Sequence, residues 1–196
     1  METEIEAKFL DVDAKLIKSR LQLLGARLEH PERLMRRINF DFSDLRLKKM
    51  GGWVRLRDEG DKVTLSYKQF NNPTLHGTKE IAVEVDDFYH AKEILLAIGM
   101  IIKSSQESKR EKWWLDDCEI TIDTWPWIPT FVEIEAGSEE LVRQTADKLG
   151  FDWAKAKHGP VYGAYKEYFN VAADEINECP EMFFGLIPEW LEAKRR

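Results

Sequence analysis

The chain has 196 residues and 43% hydrophobic content, enough for one large core or two small ones. Its net charge of -7 argues against a general nucleic-acid binder, and it has neither a basic, apolar leader nor an apolar run long enough for a membrane span. Cys118 and Cys179 are too few for a disulfide scaffold and lack metal-ligand spacing, which is typical of reduced thiols. We therefore expect a cytoplasmic protein that binds no nucleic acid and no membrane.

The first predicted element is a charged strand, Glu4-Ile5-Glu6-Ala7-Lys8. Successive strand side chains point to opposite faces, so Glu4, Glu6 and Lys8 share one face. Two adjacent carboxylates backed by a lysine suit a divalent cation bound to an anionic substrate. The alternative is a solvated strand edge.

Three amphipathic helices follow along the chain, each with an apolar stripe that ends at a glycine. They run from about Asp13 to Leu24, from about Asp87 to Ile98, and from just after Ser138 to Gly150. An acidic strand precedes each helix, which gives the chain a weak internal repetition.

The remaining segments are rich in β-branched and aromatic residues and predict strands. With the three acidic strands, the set in chain order is Glu4–Glu6, Arg33–Phe42, Trp53–Asp58, Lys62–Gln69, Glu80–Glu84, Ile101–Leu115, Cys118–Thr124 and Glu133–Glu135. Eight mostly antiparallel strands can close into a barrel. The predicted fold is α+β, an eight-stranded antiparallel barrel with helices packed outside.

The alternation within these strands predicts a charged lumen. Arg55 and Arg57 lie opposite apolar neighbours, as do Glu133 and Glu135. The helices can cover only the apolar faces, so the charged faces must point inward. Because lone buried charges are costly, the lumen should be a wet tunnel that binds metal ions and a polyanion. Of Arg36 and Arg37 only one can face it, and the pattern does not choose.

The pattern changes near the C-terminus. A short helix follows Gly159, with aromatic residues from Tyr162 to Phe169, and an apolar tail starts at Pro180. We assign residues 1–170 to the tunnel domain and residues 171–196 to an extension that packs on the domain or on a partner subunit.

Six segments, in order along residues 1–170, resemble the CYTH superfamily of triphosphate tunnel metalloenzymes. They are Glu4-Ile5-Glu6-Ala7-Lys8 (the ExExK signature), Asn39-Phe40-Asp41, Val54-Arg55-Leu56-Arg57, Thr64-Leu65-Ser66-Tyr67-Lys68, Asp123 with Phe131-Val132-Glu133-Ile134-Glu135, and Ala164-Tyr165-Lys166-Glu167-Tyr168-Phe169. The family includes class IV adenylyl cyclases and thiamine triphosphatases, and its fold is an eight-stranded tunnel.

The resemblance implies residue roles in phosphoryl transfer. Mg²⁺ or Mn²⁺ would be bound by Glu4, Glu6, Glu133 and Glu135, with Asp123 nearby. The triphosphate would be held by Lys8, Arg55, Arg57, Lys68, Arg110 and Lys157, with Lys155 as the alternative to Lys157; Lys8 and Lys68 are the catalytic candidates.

The chain departs from the family pattern in two strands. Its sixth strand has Ser108-Lys109-Arg110 where Lys-x-Arg is common in the family. Lys112 lies on the same strand face as Arg110 and could take the place of the missing lysine. Its central acidic strand has Glu80-x-Ala82 in place of Glu-x-Glu, so Glu80 is a less secure site residue.

The resemblance favours a metal-dependent triphosphatase that acts on inorganic triphosphate or a small organic triphosphate. The alternatives are a class IV adenylyl cyclase and a non-catalytic nucleotide- or polyphosphate-binding module. Trp53 either stacks on an organic group of the substrate, as in the thiamine triphosphatase branch, or packs at the barrel rim. Homodimers are common in the family, so a homodimer is a further expectation.

Overall fold

The computed structural model describes residues 1–196 apart from the side chain of Glu2. The predicted α+β class is confirmed: a large, mostly antiparallel sheet is combined with short helices. The strands are β1 Glu2–Glu4, β2 Glu6–Phe9, β3 Arg27–Phe42, β4 Gly52–Asp58, β5 Val63–Phe70, β6 Thr78–Val85, β7 Met100–Leu115, β8 Cys118–Thr124, β9 Phe131–Glu135 and β10 Glu181–Met182. The α-helices are α1 Ala14–Leu23, α2 Arg46–Lys49, α3 Phe88–Ala97, α4 Glu139–Lys148, α5 Tyr162–Tyr168, α6 Ala173–Asn177 and α7 Glu189–Glu192, and Trp153–Lys155 forms a short 3-10 helix.

The sheet has the strand order β1-β6-β5-β4-β3-β7-β8-β9-β2, and β10 pairs with β7 in parallel. Its two outermost strands, β1 and β2, belong to one segment that is interrupted at Ile5. The hydrogen-bonded ladder is therefore not a closed ring, and this is where the structure differs from the predicted barrel. The N-terminal segment nevertheless pairs with β6 through its first part and with β9 through its second, so the chain itself joins the two edges.

The long strands β3 and β7 form the largest antiparallel pair of the sheet. β3 begins at Arg27, six residues before the predicted start, because register shifts on both sides of His30 carry the pairing past Pro31. Bulges of this kind increase local twist and accommodate a proline inside a sheet. The extra twist helps the sheet to curl.

The three predicted amphipathic helices are confirmed within one or two residues, and they cover the outside of the sheet. Asp13, Asp87 and Ser138 cap them by accepting backbone N–H bonds. α1 and α4 contribute to one core with β2, β8 and β9, whereas α3 packs on β4 and β7 in a second core. The apolar faces of β2, β4, β8 and β9 are thus buried on the outer side, which leaves their polar faces to the interior, whereas Ile81 and Val83 of β6 stay exposed.

Residues 171–196 pack against the rest of the chain. Ile176, Met182 and Leu191 are buried in a third core with Phe169 and Tyr165. The backbone N–H of Ser105 in β7 donates to the carbonyl of Pro180 at 2.8 Å. Within the described part of the chain, no helix has the length and apolar character needed to cross a bilayer.

Candidate functional site

The curled sheet encloses a cavity of about 620 Å³ that is lined by charged side chains. Arg55 and Arg57 of β4 line it, while Leu56 between them is buried in the outer core. Glu133 and Glu135 of β9 line it on either side of the buried Ile134. The predicted charged lumen is confirmed. Of the predicted site residues the lining includes Glu4, Glu6, Lys8, Arg55, Arg57, Lys68, Glu80, Arg110, Lys112, Glu133 and Glu135.

Three carboxylates form a row across one wall of the cavity. In the strand register Glu6 lies directly opposite Glu135, and Glu135 lies directly opposite Glu119. Like charges at such positions destabilise a sheet, since paired Cβ atoms are only about 5 Å apart. Burial, followed by the charges of Glu6 and Glu119, raises the pKa of Glu135 to about 7. The row therefore has excess negative charge that a cation would compensate.

The next row places a lysine between carboxylates. Nζ of Lys8 lies 2.7 Å from Oε1 of Glu6 and 2.7 Å from Oε1 of Glu133. Burial alone would lower the pKa of Lys8, but Glu133 and Glu6 outweigh burial and raise it above its usual range. Lys8 is thus a permanently charged group at a fixed position in the cavity wall.

Arg110 forms a second ionic cluster beside Lys8. Its Nε and Nη2 donate to the two oxygens of Asp123 at 2.7 and 2.6 Å, and Nη2 also lies 2.7 Å from Glu133. Burial raises the pKa of Asp123 to about 6 against the opposing effect of Arg110. Asp123 is fully buried and does not line the cavity directly, so its contact with Arg110 orients the guanidinium.

Glu4 and Glu80 share the third cluster with two cations. Nζ of Lys68 lies 2.8 Å from Glu4 and 3.3 Å from Glu80, and Nη2 of Arg55 donates to Glu80 at 3.0 Å. Burial and a hydrogen bond with Glu80 raise the pKa of Glu4 to about 8. Although burial opposes it, the hydrogen bond with Glu4 and the charges of Arg55 and Lys68 lower the pKa of Glu80. Glu80 therefore lines the cavity in spite of the shortened acidic motif.

A cluster of guanidinium groups lies on the β3–β4 side of the cavity. Arg37 is directly opposite Arg57, which is held by Glu59 at 2.5 Å. Burial and then Arg55 lower the pKa of Arg57 to about 10. Burial, Arg57 and Arg55 also lower the pKa of Arg37. On this side of the cavity the cationic side chains thus outnumber the carboxylates. This excess of positive charge suits a polyanion.

The carboxylate wall fits a divalent cation by its donor set. Hard cations such as Mg²⁺ prefer carboxylate oxygens, and Glu4, Glu6, Glu133 and Glu135 supply them. Oε2 of Glu4 is buried without a hydrogen-bond partner, which leaves it free for a ligand bond. Among the described residues, no three His, Cys, Asp or Glu side chains stand in ligand geometry, because Glu4, Glu6 and Glu133 each bend toward a lysine or arginine.

The structure does not bring three of the predicted substrate residues to the cavity centre. Lys112 lies at the edge and pairs with Glu119 at 2.6 Å and Glu29 at 3.2 Å. Lys157 exchanges two backbone hydrogen bonds with Lys8, but its Nζ points to Glu167 at 2.8 Å, outside the lining. Lys155 ends the 3-10 helix and is exposed.

The sequence left the choice between Arg36 and Arg37 open and did not assign several other lining residues, among them Glu119, Asp174 and Glu178. Arg37, rather than Arg36, faces the cavity: Arg37 is 6% exposed, whereas the side chain of Arg36 is 61% exposed. Glu119 was visible as a cavity-facing position by parity but carried no motif. Asp174 of α6 and Glu178, which follows that helix, line the cavity and pair with Lys48, and no alternation pattern links them to the sheet.

The fold defines a class of protein in which a curled antiparallel sheet surrounds a cavity lined by carboxylates and basic side chains. The CYTH domain model matches residues 2–156, and the chain belongs to this family. The expected family resemblance is therefore confirmed. A comparison with functionally curated proteins found no match.

Solved structures with the same fold come from several organisms. The PH1012 protein of Pyrococcus horikoshii is 19% identical with a TM-score of 0.68, over 82% of this chain and 98% of its own. A candidate adenylate cyclase from Vibrio parahaemolyticus is 13% identical with a TM-score of 0.73, over 84% and 98%. HpAC1 from Hippeastrum, a candidate adenylyl cyclase described as having a dominant triphosphatase activity, is 13% identical with a TM-score of 0.56, over 85% and 96%.

Proposed function

We propose that the protein is a divalent-metal-dependent triphosphatase that acts on inorganic triphosphate or a small organic triphosphate. One observation carries this proposal: a single cavity holds a wall of buried carboxylates and, facing it, a cluster of lysine and arginine side chains. A polyanion accounts for the cations, and a metal ion that accompanies it accounts for the carboxylates. Neither ligand alone would offset both sets of charges.

The cations of the site would position the phosphate groups. Lys8 and Arg110 are held by carboxylates in fixed orientations, and Arg55 and Arg57 approach from β4. Groups fixed in this way stabilise charge on the phosphate oxygens without reorganising during the reaction. Lys68 lies between Glu4 and Glu80, where it can contact both a metal-bound phosphate group and the carboxylate wall.

Glu4, Glu6, Glu133 and Glu135 would hold Mg²⁺ or Mn²⁺, which supplies positive charge to the triphosphate oxygens and acidifies the attacking water. Glu135 has no cationic partner within ion-pair distance among the described side chains, and burial together with Glu6 and Glu119 raises its pKa to about 7 in the metal-free site. It is therefore the carboxylate of the four whose charge a bound cation would offset most directly.

A class IV adenylyl cyclase is the second candidate, because the mouth of the cavity can accommodate a base. Trp53, Phe70 and Tyr162 line the cavity, and the rings of Phe70 and Tyr162 meet edge to face at 6.5 Å. A volume of about 620 Å³ also lies in the range of sites that enclose drug-sized ligands. The same phosphate-binding residues would serve both reactions.

Product analysis separates these functions. The protein is incubated with Mg²⁺ or Mn²⁺ and, in separate reactions, with inorganic triphosphate, ATP and thiamine triphosphate, and products are resolved by ³¹P NMR and chromatography. Orthophosphate without cyclic AMP supports the triphosphatase, whereas cyclic AMP with equimolar pyrophosphate supports the cyclase. Binding without turnover of any of the three substrates would refute both and favour a non-catalytic binding module.

A further inference from the structure

Arg37 differs from the other buried cations of the cavity in its partners. Five other cations of the lining each pair with a carboxylate: Lys8 with Glu133, Arg55 with Glu80, Arg57 with Glu59, Lys68 with Glu4, and Arg110 with Asp123. Among the described side chains, Arg37 has no carboxylate within ion-pair distance, although it is only 6% exposed. Its positive charge is therefore not paired directly, and Asp123 attracts it only from beyond ion-pair distance.

The neighbours that Arg37 does have are neutral or positive. Its guanidinium donates to the hydroxyl of Ser108 and lies 4.3 Å from the ring centroid of Trp125. On one side of the strand it faces Arg57, and on the other it faces Gln106. Its Nε is buried without a hydrogen-bond partner. The contacts fix the direction of the side chain but leave both charge and donor capacity unused.

Such an arrangement costs the folded protein stability, because an unpaired buried charge is among the most unfavourable groups in a protein interior. Ser108 and Trp125 offset only part of this cost. A ligand that brings negative charge to the cavity would offset the rest. An arginine with free donors is well suited to a phosphate group, since its planar fork matches two phosphate oxygens.

We propose that Arg37 binds the triphosphate directly and that the substrate supplies its missing counter-charge; this assignment rests on the proposed function of the cavity. Arg37 adds a phosphate contact on the β3 side to those of Arg55 and Arg57 on β4. The unpaired charge of Arg37 lowers the stability of the free protein, and binding of the triphosphate offsets this loss.

The test compares Arg37→Met with Arg36→Met. Methionine keeps an unbranched, polarisable side chain against Trp125 and removes the charge. Arg36 is the neighbouring residue, is exposed, and approaches only Glu107, at 4.0 Å, so it is a matched control. The melting temperature is measured in EDTA without ligand. The affinity for inorganic triphosphate is measured by calorimetry in that buffer and again with Mg²⁺ in place of EDTA.

We expect Arg37→Met to raise the melting temperature of the free protein by about 2 to 8 °C, because it removes an unpaired buried charge. We expect it to weaken triphosphate binding by about 10- to 100-fold, the effect of a lost charge-assisted hydrogen bond. Arg36→Met should change the melting temperature by less than about 2 °C and leave affinity within about twofold. Arg37→Lys should retain part of the affinity and gain no stability.

Two results would overturn the proposal. A lower melting temperature in Arg37→Met would make Arg37 a structural residue that fastens β3 to Trp125 and Ser108. Unchanged triphosphate affinity in that variant would remove Arg37 from the binding site. If wild-type protein binds triphosphate but hydrolyses none of the tested substrates, the proposed function fails while the affinity and stability results still support Arg37. If it binds no triphosphate, both fail.

Discussion

Replacing Glu135 by glutamine tests whether the row of carboxylates exists to bind a cation. Glu135 lies between Glu6 and Glu119 in the strand register, and its pKa is about 7. Glutamine has nearly the same shape and removes one negative charge from the centre of the row. We expect the metal-free variant to be more stable than the wild type at pH 8, and we expect it to lose metal binding.

The magnitude follows from proton linkage. A carboxyl group whose pKa rises from 4.5 to about 7 on folding holds its proton more tightly in the folded state than in the unfolded state. The free energy of unfolding therefore falls as the pH rises through the window from about 4.5 to 7, and the full cost is present above it. At about 1.4 kcal/mol for each tenfold change in proton affinity, that cost is about 3 kcal/mol at pH 8.

The assay is chemical denaturation at pH 5 and pH 8 in EDTA, for wild type, Glu135→Gln and Glu84→Gln. Glu84 is on β6 with a side chain 71% exposed, so its substitution controls for the loss of a strand glutamate. We expect Glu135→Gln to gain about 2 to 3 kcal/mol over wild type at pH 8 and less than 1 kcal/mol at pH 5. Because Glu4 titrates in an overlapping range, the quantity of interest is the difference between variant and wild type.

Adding Mg²⁺ completes this test. A cation that binds only the folded state raises stability and displaces protons from its ligands. Excess Mg²⁺ should raise the melting temperature of the wild type and leave that of Glu135→Gln nearly unchanged. A Glu135→Gln protein that is less stable than wild type at pH 8, or that responds to Mg²⁺ as the wild type does, would refute the reasoning.

Three further predictions concern single side chains. Lys8→Met leaves Glu6 and Glu133 without a shared cation. We expect this variant to lose about 3 to 5 kcal/mol of unfolding free energy and to release phosphate at least about 100-fold more slowly. A variant as stable as wild type would show that the cluster is solvated. Glu4→Gln should fold normally and lose metal-dependent turnover by about 100-fold, and unchanged turnover would remove Glu4 from the metal site. Trp53→Ala should lower kcat/KM for ATP or thiamine triphosphate by about 10-fold and leave kcat/KM for inorganic triphosphate within about twofold of wild type. Equal losses of kcat/KM on all substrates would contradict stacking of Trp53 on the organic group.

The parity of the strands was enough to predict the fold class and the charged lumen. Alternation in Val54-Arg55-Leu56-Arg57 places both arginines on one face, and the buried Leu56 confirms which face is covered. Helix bounds were likewise predicted from apolar stripes and caps, because both signals are local. The split of the N-terminal segment at Ile5 was not predictable, since it depends on which two strands the segment joins.

The choice between Arg36 and Arg37 shows what the local alternation of residues cannot predict. Both residues are adjacent arginines in a long strand with several register shifts, so no alternation rule assigns their faces. Only the pairing of β3 with β4 and β7 turns Arg37 toward Arg57 and Ser108. The same holds for Glu119, which became part of a carboxylate row only when β8 aligned with β9.

By itself, the sequence determined the main strands and the three long helices, the inward face of most strands and most of the charged groups of the site, because each depends on residues close together in the chain. The tertiary structure decided which of these charges neutralise one another and which remain unpaired. Lys8 and Arg110 gained carboxylate partners from strands more than ten residues away, whereas Arg37 gained none. The free energy of a buried charge depends on its distance from others in space, and that distance is fixed only when the strands pair.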